Sequence, residues 1–567
     1  MRRTFREATI AEFFEKNKQF LGFDSPRKAL VMTVKELVDN ALDATEEARI
    51  LPTIKVTLKE GKYMTVRVED NGPGIPFNEV PNVFGKFLYG TKFHVLKQNR
   101  GQQGIGAAAI TLYSQLTTGK PIRVWDKPID SNKAYYYEIM IDTKRNEPEV
   151  LVKKEVKLNI KHGLIVEADI KGEYTKGKQS VDQYLKLTAV ANPHAEIIYR
   201  TPKGEYIVFK RGTNELPPLP KEIKPHPHGI ELGQLKKMVS EHKGDLMDFL
   251  IKNFSSVGED KAKEILARYI FYKEGKEDFE KFFKRFRGRK IDIKSLTSED
   301  LELLLKAMRE TKLKMPSAKA LIPIGEKNLQ IGITKEYDVE YLAVKTRKPK
   351  VYSGGIPFLV EVAIGYGDFE KAEILRFANR TPLLYKAGEC AIVKAIKDIN
   401  WKRYGFEVEN NLPKNALILV HIASVKVPYT SESKEAIADI PEVREEIKRA
   451  LQEVARKVQI YIKKKEETKE LAEKYLRFYA YGKEIERYLP KLIDKDVDSV
   501  VTKTILKRLE EELLERIKNN KTIVTHIENK DYETAKKLIK KMVMPLIKKK
   551  IIDESFIDRL IQLYNVS

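Results

Sequence analysis

Apolar and polar positions follow two different periods along this chain, and the alternation between them predicts a mixed α/β protein. Residues 53–58 (TIKVTL) and 65–69 (TVRVE) alternate apolar and polar side chains, as half-buried strands do. Residues 135–141 and 164–170 are predicted to be later strands of the same sheet. Across residues 36–44 the apolar side chains instead recur three and four apart, which predicts a helix with one buried face.

The same periods, together with proline and glycine, divide the chain into regions. The five prolines of residues 216–229 (LPPLPKEIKPHPHG) predict a stiff linker, and helical periodicity follows it. Strands predicted at 351–364 and 417–425 flank a helix predicted at 388–399, which indicates a second α/β domain. An apolar stripe that starts at Ile440 predicts a long helix. The predicted regions are an N-terminal strap (1–20), a first α/β domain (21–215), the linker (216–228), a helical domain (229–318), the second α/β domain (319–439), a stalk helix (440–480) and a helical C-terminal region (481–567).

Composition narrows the class of protein. The 567 residues include 105 Lys and Arg against 82 Asp and Glu, a net charge of +23, which predicts a polyanionic partner, nucleic acid before a membrane surface. The single cysteine, Cys390, excludes a disulfide framework within the chain and indicates a reducing, cytoplasmic setting. No run of about eighteen apolar residues occurs, so we expect no membrane span and no membrane partner.

Candidate chemistry begins on the helix predicted at 36–44. Glu36, Asn40 and Asp43 stand at i, i+4 and i+7 and therefore share the polar face. A neutral amide oxygen beside an acid suits Mg²⁺ that keeps water and phosphate ligands. A carboxylate one turn away can serve as general base on a water. The alternative is an ordinary solvated amphipathic helix.

Two glycine-rich segments follow that helix. DNGPGIP (70–76) ends a predicted strand, so Asp70 can accept a hydrogen bond from an exocyclic amine such as that of adenine. Its glycines, Gly72 and Gly74, permit close approach of the backbone to a ligand; the alternative is a plain turn. GQQGIG (101–106) opens a small-residue helix, and its N–H groups form a candidate anion site. It is not a Walker loop, because no Lys-Ser/Thr follows Gly106.

The order of these three segments resembles the GHKL ATPase family. The resemblance implies that Glu36 is the general base, Asn40 the Mg²⁺ ligand and Asp70 the adenine contact. Residues 78–100 would be a lid over the nucleotide. The further implied ATP contacts are Asp43, Gly72, Gly74, Thr91, Lys92, Gly101, Gln102, Gln103, Gly104, Ile105, Gly106, Ala107 and Ala108. The family's third glycine box usually carries Gly-Thr or Gly-Ser, whereas this chain has Gly163-Leu164, and a leucine side chain cannot hydrogen-bond adenine.

Four further segments resemble the B-subunit family of type IIB (topoisomerase VI) enzymes within the GHKL group. They are RKPKVYSGGIPF (347–358), RFANRTPLLY (376–385), WKRYGF (401–406) and SESKEAIA (431–438). The implied fold is an α+β multidomain protein: a GHKL (Bergerat) ATPase α/β sandwich, a helix-two-turn-helix insert, an α/β transducer with a long stalk helix, and a helical C-terminal tail. Lys434 would be the switch lysine, a catalytic and ATP-binding residue whose ammonium contacts the γ-phosphate.

This resemblance implies an ATP-hydrolysing component of a type II DNA topoisomerase that uses ATP and Mg²⁺. Two copies would dimerise on ATP binding and trap a double-stranded DNA segment. They would sit on the topoisomerase VI A subunit in an A2B2 heterotetramer, and the A subunit would break the second duplex. The alternatives are an ATP-gated DNA clamp and a MutL-like repair ATPase.

Several basic positions are candidates for DNA contact. Lys176 and Lys178 flank a glycine in a loop that either binds a phosphate backbone or is a solvated turn. Trp401, Lys402, Arg403 and Tyr404 combine aromatic and basic side chains, which either lie on DNA or cap the domain.

Overall fold

The computed structural model describes residues 8–90, 96–101, 104–275, 278–431, 433–493 and 499–566. The chain forms two compact units. The first comprises residues up to Arg403 together with Glu407–Ala455, and the second comprises Tyr404–Phe406 and Arg456–Ser567. The strap residues 1–7 and the ATP contacts predicted at Thr91, Lys92, Gln102 and Gln103 lie outside the described residues.

The first unit begins with the predicted α/β domain. Its elements are α1 (Ile10–Lys16), α2 (Pro26–Glu47), β1 (Thr53–Glu60), β2 (Met64–Asp70), α3 (Val80–Gly85), α4 (Gly106–Thr118), β3 (Ile122–Lys127), β4 (Ala134–Asp142), β5 (Glu147–Val156), β6 (Gly163–Ile170), α5 (Val181–Ala191), β7 (Glu196–Arg200) and β8 (Tyr206–Phe209).

One eight-stranded sheet, in the order β5-β4-β3-β6-β2-β1-β7-β8, organises this domain. Within this sheet, among the described strands, only the β1–β7 pair is parallel; the other neighbours are antiparallel. The alternating strands β1 and β2 bury Ile54, Val56, Val66 and Val68 against the apolar faces of the helices. α2 and α4 pack on this sheet and on each other.

Residues 216–226 between this domain and the next contain neither helix nor strand, as the prolines predict. A helical domain follows, with α6 (Leu232–Glu241), α7 (Leu246–Asn253), α8 (Glu259–Glu274), α9 (Phe279–Arg285) and α10 (Ser298–Glu310). The predicted helix–turn–helix is confirmed, because α7 ends just before the Ser255–Gly258 turn and α8 begins just after it.

The second α/β domain contains α11 (Glu326–Glu336), β9 (Tyr341–Thr346), β10 (Lys350–Tyr352), β11 (Ile356–Tyr366), β12 (Glu373–Ala378), β13 (Thr381–Pro382), α12 (Ala391–Lys397), β14 (Val408–Glu409), β15 (Leu412–Pro413) and β16 (Ala416–Ser424). Its main sheet has the order β10-β11-β16-β12-β13, with β9 also paired to β11. β12 runs parallel to β16, and the chain between them includes α12.

The prediction of one strand over 351–364 is wrong. Ser353 and Gly354 adopt φ values of +46° and +75°, which turn the chain back on itself. β10 consequently pairs antiparallel with β11, with Lys350 opposite Phe358. The Ser-Gly-Gly sequence therefore closes a hairpin where the apolar pattern alone indicated a continuous strand.

The predicted stalk helix exists but is longer than predicted: α13 runs from Pro441 to Ile493 rather than ending at 480. Gly482 lies within this helix and packs closely on Ile505, whose Cδ1 would lie 2.8 Å from a Cβ at residue 482. The remaining helices of the second unit are α14 (Val500–Lys518), α15 (Lys521–Glu528), α16 (Tyr532–Lys548) and α17 (Glu554–Val566). No helix of the described chain is long and apolar enough to cross a membrane.

Candidate nucleotide site

The site is built on the polar face of α2. Ser25 caps this helix by accepting from Lys28 N at 3.4 Å, and Pro26 opens its first turn. Ten residues into the helix the Glu36 carboxylate faces the start of α4 so closely that a Cβ on Gly106 would lie 2.1 Å from Glu36 Oε2. A side chain at residue 106 would therefore displace the Glu36 carboxylate from this position. One turn later Asn40 is exposed, and its Oδ1 would lie 3.9 Å from a Cβ on Gly101.

Two ammonium groups set the charge state of Glu36. Lys35 Nζ lies 3.2 Å from Glu36 Oε1 and 3.0 Å from Asp39 Oδ2. Burial raises the pKa of the Glu36 carboxyl, but the charges of Lys35 and Lys434 outweigh this effect and lower the pKa overall. Glu36 is therefore a carboxylate at neutral pH, as a proton acceptor must be.

Asp70 marks the other end of the site. Its Oδ1 accepts from Gly72 N at 2.7 Å and from Leu164 N at 3.4 Å. Burial raises the pKa of this carboxyl to about 6, although the two N–H groups oppose the shift. Asp70 is thus a half-buried acceptor that is mostly ionised at neutral pH, which suits it to an exocyclic amine.

Leu164 stands where the family usually has Thr or Ser, and its main-chain N–H donates to Asp70. This backbone contact does not depend on the leucine side chain. Gly163 adopts φ +140°, and a Cβ there would lie 2.1 Å from Asp70 O. The glycine of this third box is therefore required by the close packing of β6 on the end of β2.

The residues that the resemblance implies as phosphate contacts, 101–108, are called the cradle here; they start at Gly101 near Asn40 and include the first residues of α4. Gly104 has φ +57° and its carbonyl accepts from Leu88 N at 3.1 Å, which ties the cradle to the lid. α4 starts at Gly106, and no side chain in the described chain caps its N-terminus. Its first turn, which includes Ala107 and the buried Ala108, offers main-chain N–H groups to an anion. Ile105 is half-buried beside it.

The spacing puts Asp43 on the same face of α2 as Glu36 and Asn40, but Asp43, unlike Asn40, is not exposed there. It is buried and accepts from Arg100 Nη1 at 2.7 Å. Arg100 also donates to Glu46, from Nη2 to Oε1 at 2.7 Å. Because residues 96–100 cover the last turns of α2, Asp43 is engaged in anchoring Arg100, the residue just before the cradle.

Lys434 reaches the same place from the second α/β domain. Its Nζ donates to the main-chain carbonyl oxygen of Arg100 at 3.3 Å. Burial lowers the pKa of this ammonium, while the neighbouring Glu36 carboxylate opposes the shift. The side chain is half-buried, and the residue has φ +53°. The loop that precedes α13 therefore brings a cation to the edge of the cradle.

The candidate DNA contacts divide into exposed and buried residues. Lys176 and Lys178 are exposed and pair with Glu205 at 3.3 Å and Glu373 at 3.2 Å. Lys402 and Arg403 are exposed as well. Trp401 and Tyr404, by contrast, are 1% and 5% exposed, and the Trp401 indole donates to Ile396 O at 2.9 Å. The prediction that these two rings lie on DNA is therefore wrong, because they are core residues.

Sequence reasoning missed several residues that shape the site, Lys35, Asp39 and Arg100 among them. Lys35 and Asp39 are 6% and 4% exposed and form an i, i+4 ion pair in α2, and Lys35 also contacts Glu36. Opposite charges one turn apart on a largely apolar helix are a signal for a buried pair, since unpaired charges are rarely buried. Arg100 carried no such local signal.

The donor set around Asn40 fits a cation that is held mainly by nucleotide phosphates. In the described chain no group of three or more His, Cys, Asp or Glu side chains is placed to hold a metal ion by itself. The exposed Asn40 amide faces the cradle and offers one neutral oxygen, which suits Mg²⁺ that keeps phosphate and water ligands.

Comparison with known proteins agrees with this arrangement. Residues 26–145 match the family described as histidine kinase-, DNA gyrase B- and HSP90-like ATPase, and residues 316–474 match the topoisomerase VI B subunit transducer.

The type 2 DNA topoisomerase 6 B subunit of Methanosarcina barkeri is 43% identical over 506 residues, covering 87% of this chain and 79% of the relative. The Archaeoglobus fulgidus protein of the same name is 46% identical over 469 residues, 81% of this chain and 75% of the relative. The Pyrococcus horikoshii protein is 39% identical over 528 residues, 86% of this chain and 91% of the relative. This chain belongs to the family of type 2 DNA topoisomerase 6 B subunits.

Proposed function

We propose that this chain is the ATP-binding and ATP-hydrolysing B subunit of a type 2 DNA topoisomerase 6, and that it drives DNA strand passage by a partner A subunit. The single observation that carries the proposal is the approach of Lys434 to Arg100 O at 3.3 Å, beside Glu36 and the start of α4. A cation from the transducer (residues 316–474) at the phosphate end of the site gives nucleotide chemistry a route to the rest of the chain.

The residues have the following proposed roles. Glu36 accepts a proton from the attacking water, and Lys35 keeps the carboxylate ionised. Asp70 accepts from the adenine amine, and the N-terminus of α4 donates to phosphate oxygens. Asn40 holds Mg²⁺, which when bound neutralises phosphate charge. The Lys434 ammonium moves from the Arg100 carbonyl to the γ-phosphate when ATP binds, and it loses this contact when hydrolysis removes that phosphate.

The proposed assembly is the one that the family resemblance implies. Two copies dimerise on ATP binding and close around one double-stranded DNA segment, and two A subunits complete an A2B2 heterotetramer. The A subunit makes the transient double-strand break, so this chain hydrolyses ATP without cutting DNA. The exposed bases Lys176, Lys178, Lys402 and Arg403 contact phosphates of the captured duplex, consistent with the net charge of +23.

The test is reconstitution with a candidate A subunit. We expect the two chains to co-purify, and the complex to relax supercoiled plasmid only when ATP and Mg²⁺ are both present. A complex that contains Glu36→Gln is the matched control, and it should bind ATP without sustained relaxation. Relaxation that proceeds equally well without nucleotide, or a failure of the two chains to associate, would overturn the proposal.

A further inference from the structure

The segment that leads into the phosphate cradle is held largely by residues distant from it in sequence. Leu96 O accepts from Ile223 N at 3.0 Å in the proline-rich linker. The Gln98 side chain pairs with the main chain of Ile322: its Nε2 donates to Ile322 O at 3.1 Å, and its Oε1 accepts from Ile322 N at 2.6 Å. Gln98 N also donates to Ala320 O at 3.3 Å. The lid thus ends on a strand-like contact with the start of the transducer.

Asn379 secures the next residue. Its Nδ2 donates to Asn99 O at 2.9 Å and to Ser424 O at 3.0 Å, and its Oδ1 accepts from Ser424 N at 2.9 Å. Asn379 and Ser424 are both buried. One amide therefore joins the residue before Arg100 to the end of β16, and all three of its hydrogen bonds are sheltered from water.

Arg380 secures Arg100 through a shared carboxylate. Glu46 accepts from Arg100 Nη2 at 2.7 Å and from Arg380 Nη2 at 2.6 Å. These side chains are among the most buried charges of the first unit, with Glu46 6%, Arg100 4% and Arg380 8% exposed. His194 Nε2 lies 2.8 Å from Glu46 Oε1 and Arg100 Nη2 donates to Asn192 Oδ1 at 2.6 Å, which completes the network.

The position of Asn379 and Arg380 is itself fixed. They form the two-residue turn between β12 and β13, with φ values of +47° and +65°. Arg380 N donates to His421 Nε2 at 3.0 Å, and His421 Nδ1 lies 2.8 Å from Glu361 Oε2, both wholly buried. Because its turn is pinned to β11 and β16 in this way, Arg380 moves only if the transducer sheet moves.

We propose that Asn379 and Arg380 are positioning residues for ATP, which hold Asn99 and Arg100 so that the following cradle fits the nucleotide phosphates. This inference rests on the proposed ATPase function. It adds a second link between transducer and nucleotide that is separate from the Lys434 ammonium. The Lys434 ammonium can leave the Arg100 carbonyl and bind a phosphate, whereas Asn379 and Arg380 hold residues 99 and 100 of the protein itself.

The test compares Arg380→Gln with Arg347→Gln as a matched control. Arg347 also bridges two carboxylates of the first unit, Glu446 and Glu453, each at 2.7 Å, but it does not touch residues 96–100. We expect Arg380→Gln to raise the Kd for a non-hydrolysable MgATP analogue and the KM for ATP by about five- to tenfold, with kcat within about twofold. Arg347→Gln should lower the Tm without changing either constant. Arg380→Lys should give an intermediate KM, since it keeps the charge but not the paired donors.

A second variant guards against misfolding of Arg380→Gln. Asn379→Gly keeps the left-handed turn, which glycine adopts freely, and removes only the amide. It should also weaken analogue binding by about threefold or more. Unchanged Kd and KM in the folded variants, with only a lower Tm, would overturn the proposal. Failure of the wild-type chain to bind the analogue would instead overturn the proposed ATPase function.

Discussion

Lys434 donates from Nζ to the main-chain oxygen of Arg100 across 334 residues of sequence. The half-buried Lys434 ammonium donates to a neutral carbonyl oxygen and lies beside the Glu36 carboxylate. Its positive charge is less fully compensated than it would be in a direct ion pair, and burial lowers its pKa. A phosphate oxygen offers that ammonium a charged acceptor at the same edge of the cradle. We therefore expect the Lys434 ammonium to move from the Arg100 carbonyl to a phosphate oxygen when a nucleotide binds.

Replacement of Lys434 by alanine tests this relationship. We expect Lys434→Ala to slow ATP hydrolysis by about 10- to 100-fold, because a cation is lost from the γ-phosphate. Binding of a non-hydrolysable analogue should persist, since Asp70 and the start of α4 remain. Steady-state hydrolysis and equilibrium binding measure the two effects separately. Lys386→Ala, which removes a lysine 3.6 Å from Glu435, is the control; unaltered turnover in Lys434→Ala would count against the switch.

Glu36→Gln tests the general base. We expect the rate of hydrolysis to fall by about 10²- to 10⁴-fold, because the amide cannot accept the proton of the attacking water. Analogue binding should remain close to that of wild type. Glu47→Gln, at the exposed end of the same helix, should hydrolyse ATP normally. Hydrolysis at the wild-type rate by Glu36→Gln would favour an ATP-gated clamp whose closure does not depend on this carboxylate.

The local parts of this site could be predicted from the sequence, because the residues that form each part are close together in it. Glu36 and Asn40 share one helix face, and the glycines at 72 and 106 stand where the carboxylates of Asp70 and Glu36 come close to the main chain. The mixture of helices and strands, including β1 and β2, followed from local periodicity, whereas the α+β multidomain class followed from the family resemblance, and both are confirmed.

The remainder depends on contacts between distant segments. The burial of Asp43 follows from Arg100, and Arg100 is fixed by Glu46 together with Arg380 of the transducer. No periodicity within α2 contains that information. At Trp401 the local sequence was misleading. Its basic neighbours indicated a surface position for the indole, whereas the structure buries it to 1% exposure.

The Asp126 carboxyl allows a test of how burial near the site changes a pKa. It is wholly buried, its Oδ1 accepts from Ile75 N at 2.9 Å, and its Oδ2 has no hydrogen-bond partner in the described structure. Burial first, and then the charges of Asp70 and Asp130, raise the pKa of this carboxyl to about 7. The folded chain therefore holds a proton that the unfolded chain loses near pH 4, so the contribution of this group to wild-type stability falls as pH rises from about 4 to 7.

Asp126→Asn keeps an oxygen for Ile75 and removes this titration. We expect its free energy of unfolding to exceed that of wild type by about 1 to 3 kcal/mol at pH 8 and by little at pH 4. Denaturant unfolding at several pH values measures the difference. Asp130→Asn, which removes an exposed carboxylate just after β3 that adds only a minor part of the raised pKa, should give a much smaller gain. A gain that does not grow with pH would show that the Asp126 carboxyl is not held protonated by burial.

DNA binding by this chain should depend steeply on salt, because its charge of +23 attracts phosphates and releases their counterions. The surface pairs of Lys176 with Glu205 and Lys178 with Glu373 are weak enough to open for a phosphate. Replacing both lysines by alanine should lower the slope of log K against log salt by about 2 for duplex DNA. Fluorescence anisotropy between low and physiological salt measures that slope, and the Lys402→Ala, Arg403→Ala double variant tests the second exposed pair in the same way. A slope unchanged in both double variants would show that these four residues do not contact the bound DNA. A wild-type affinity that does not change with salt would contradict the argument from net charge itself.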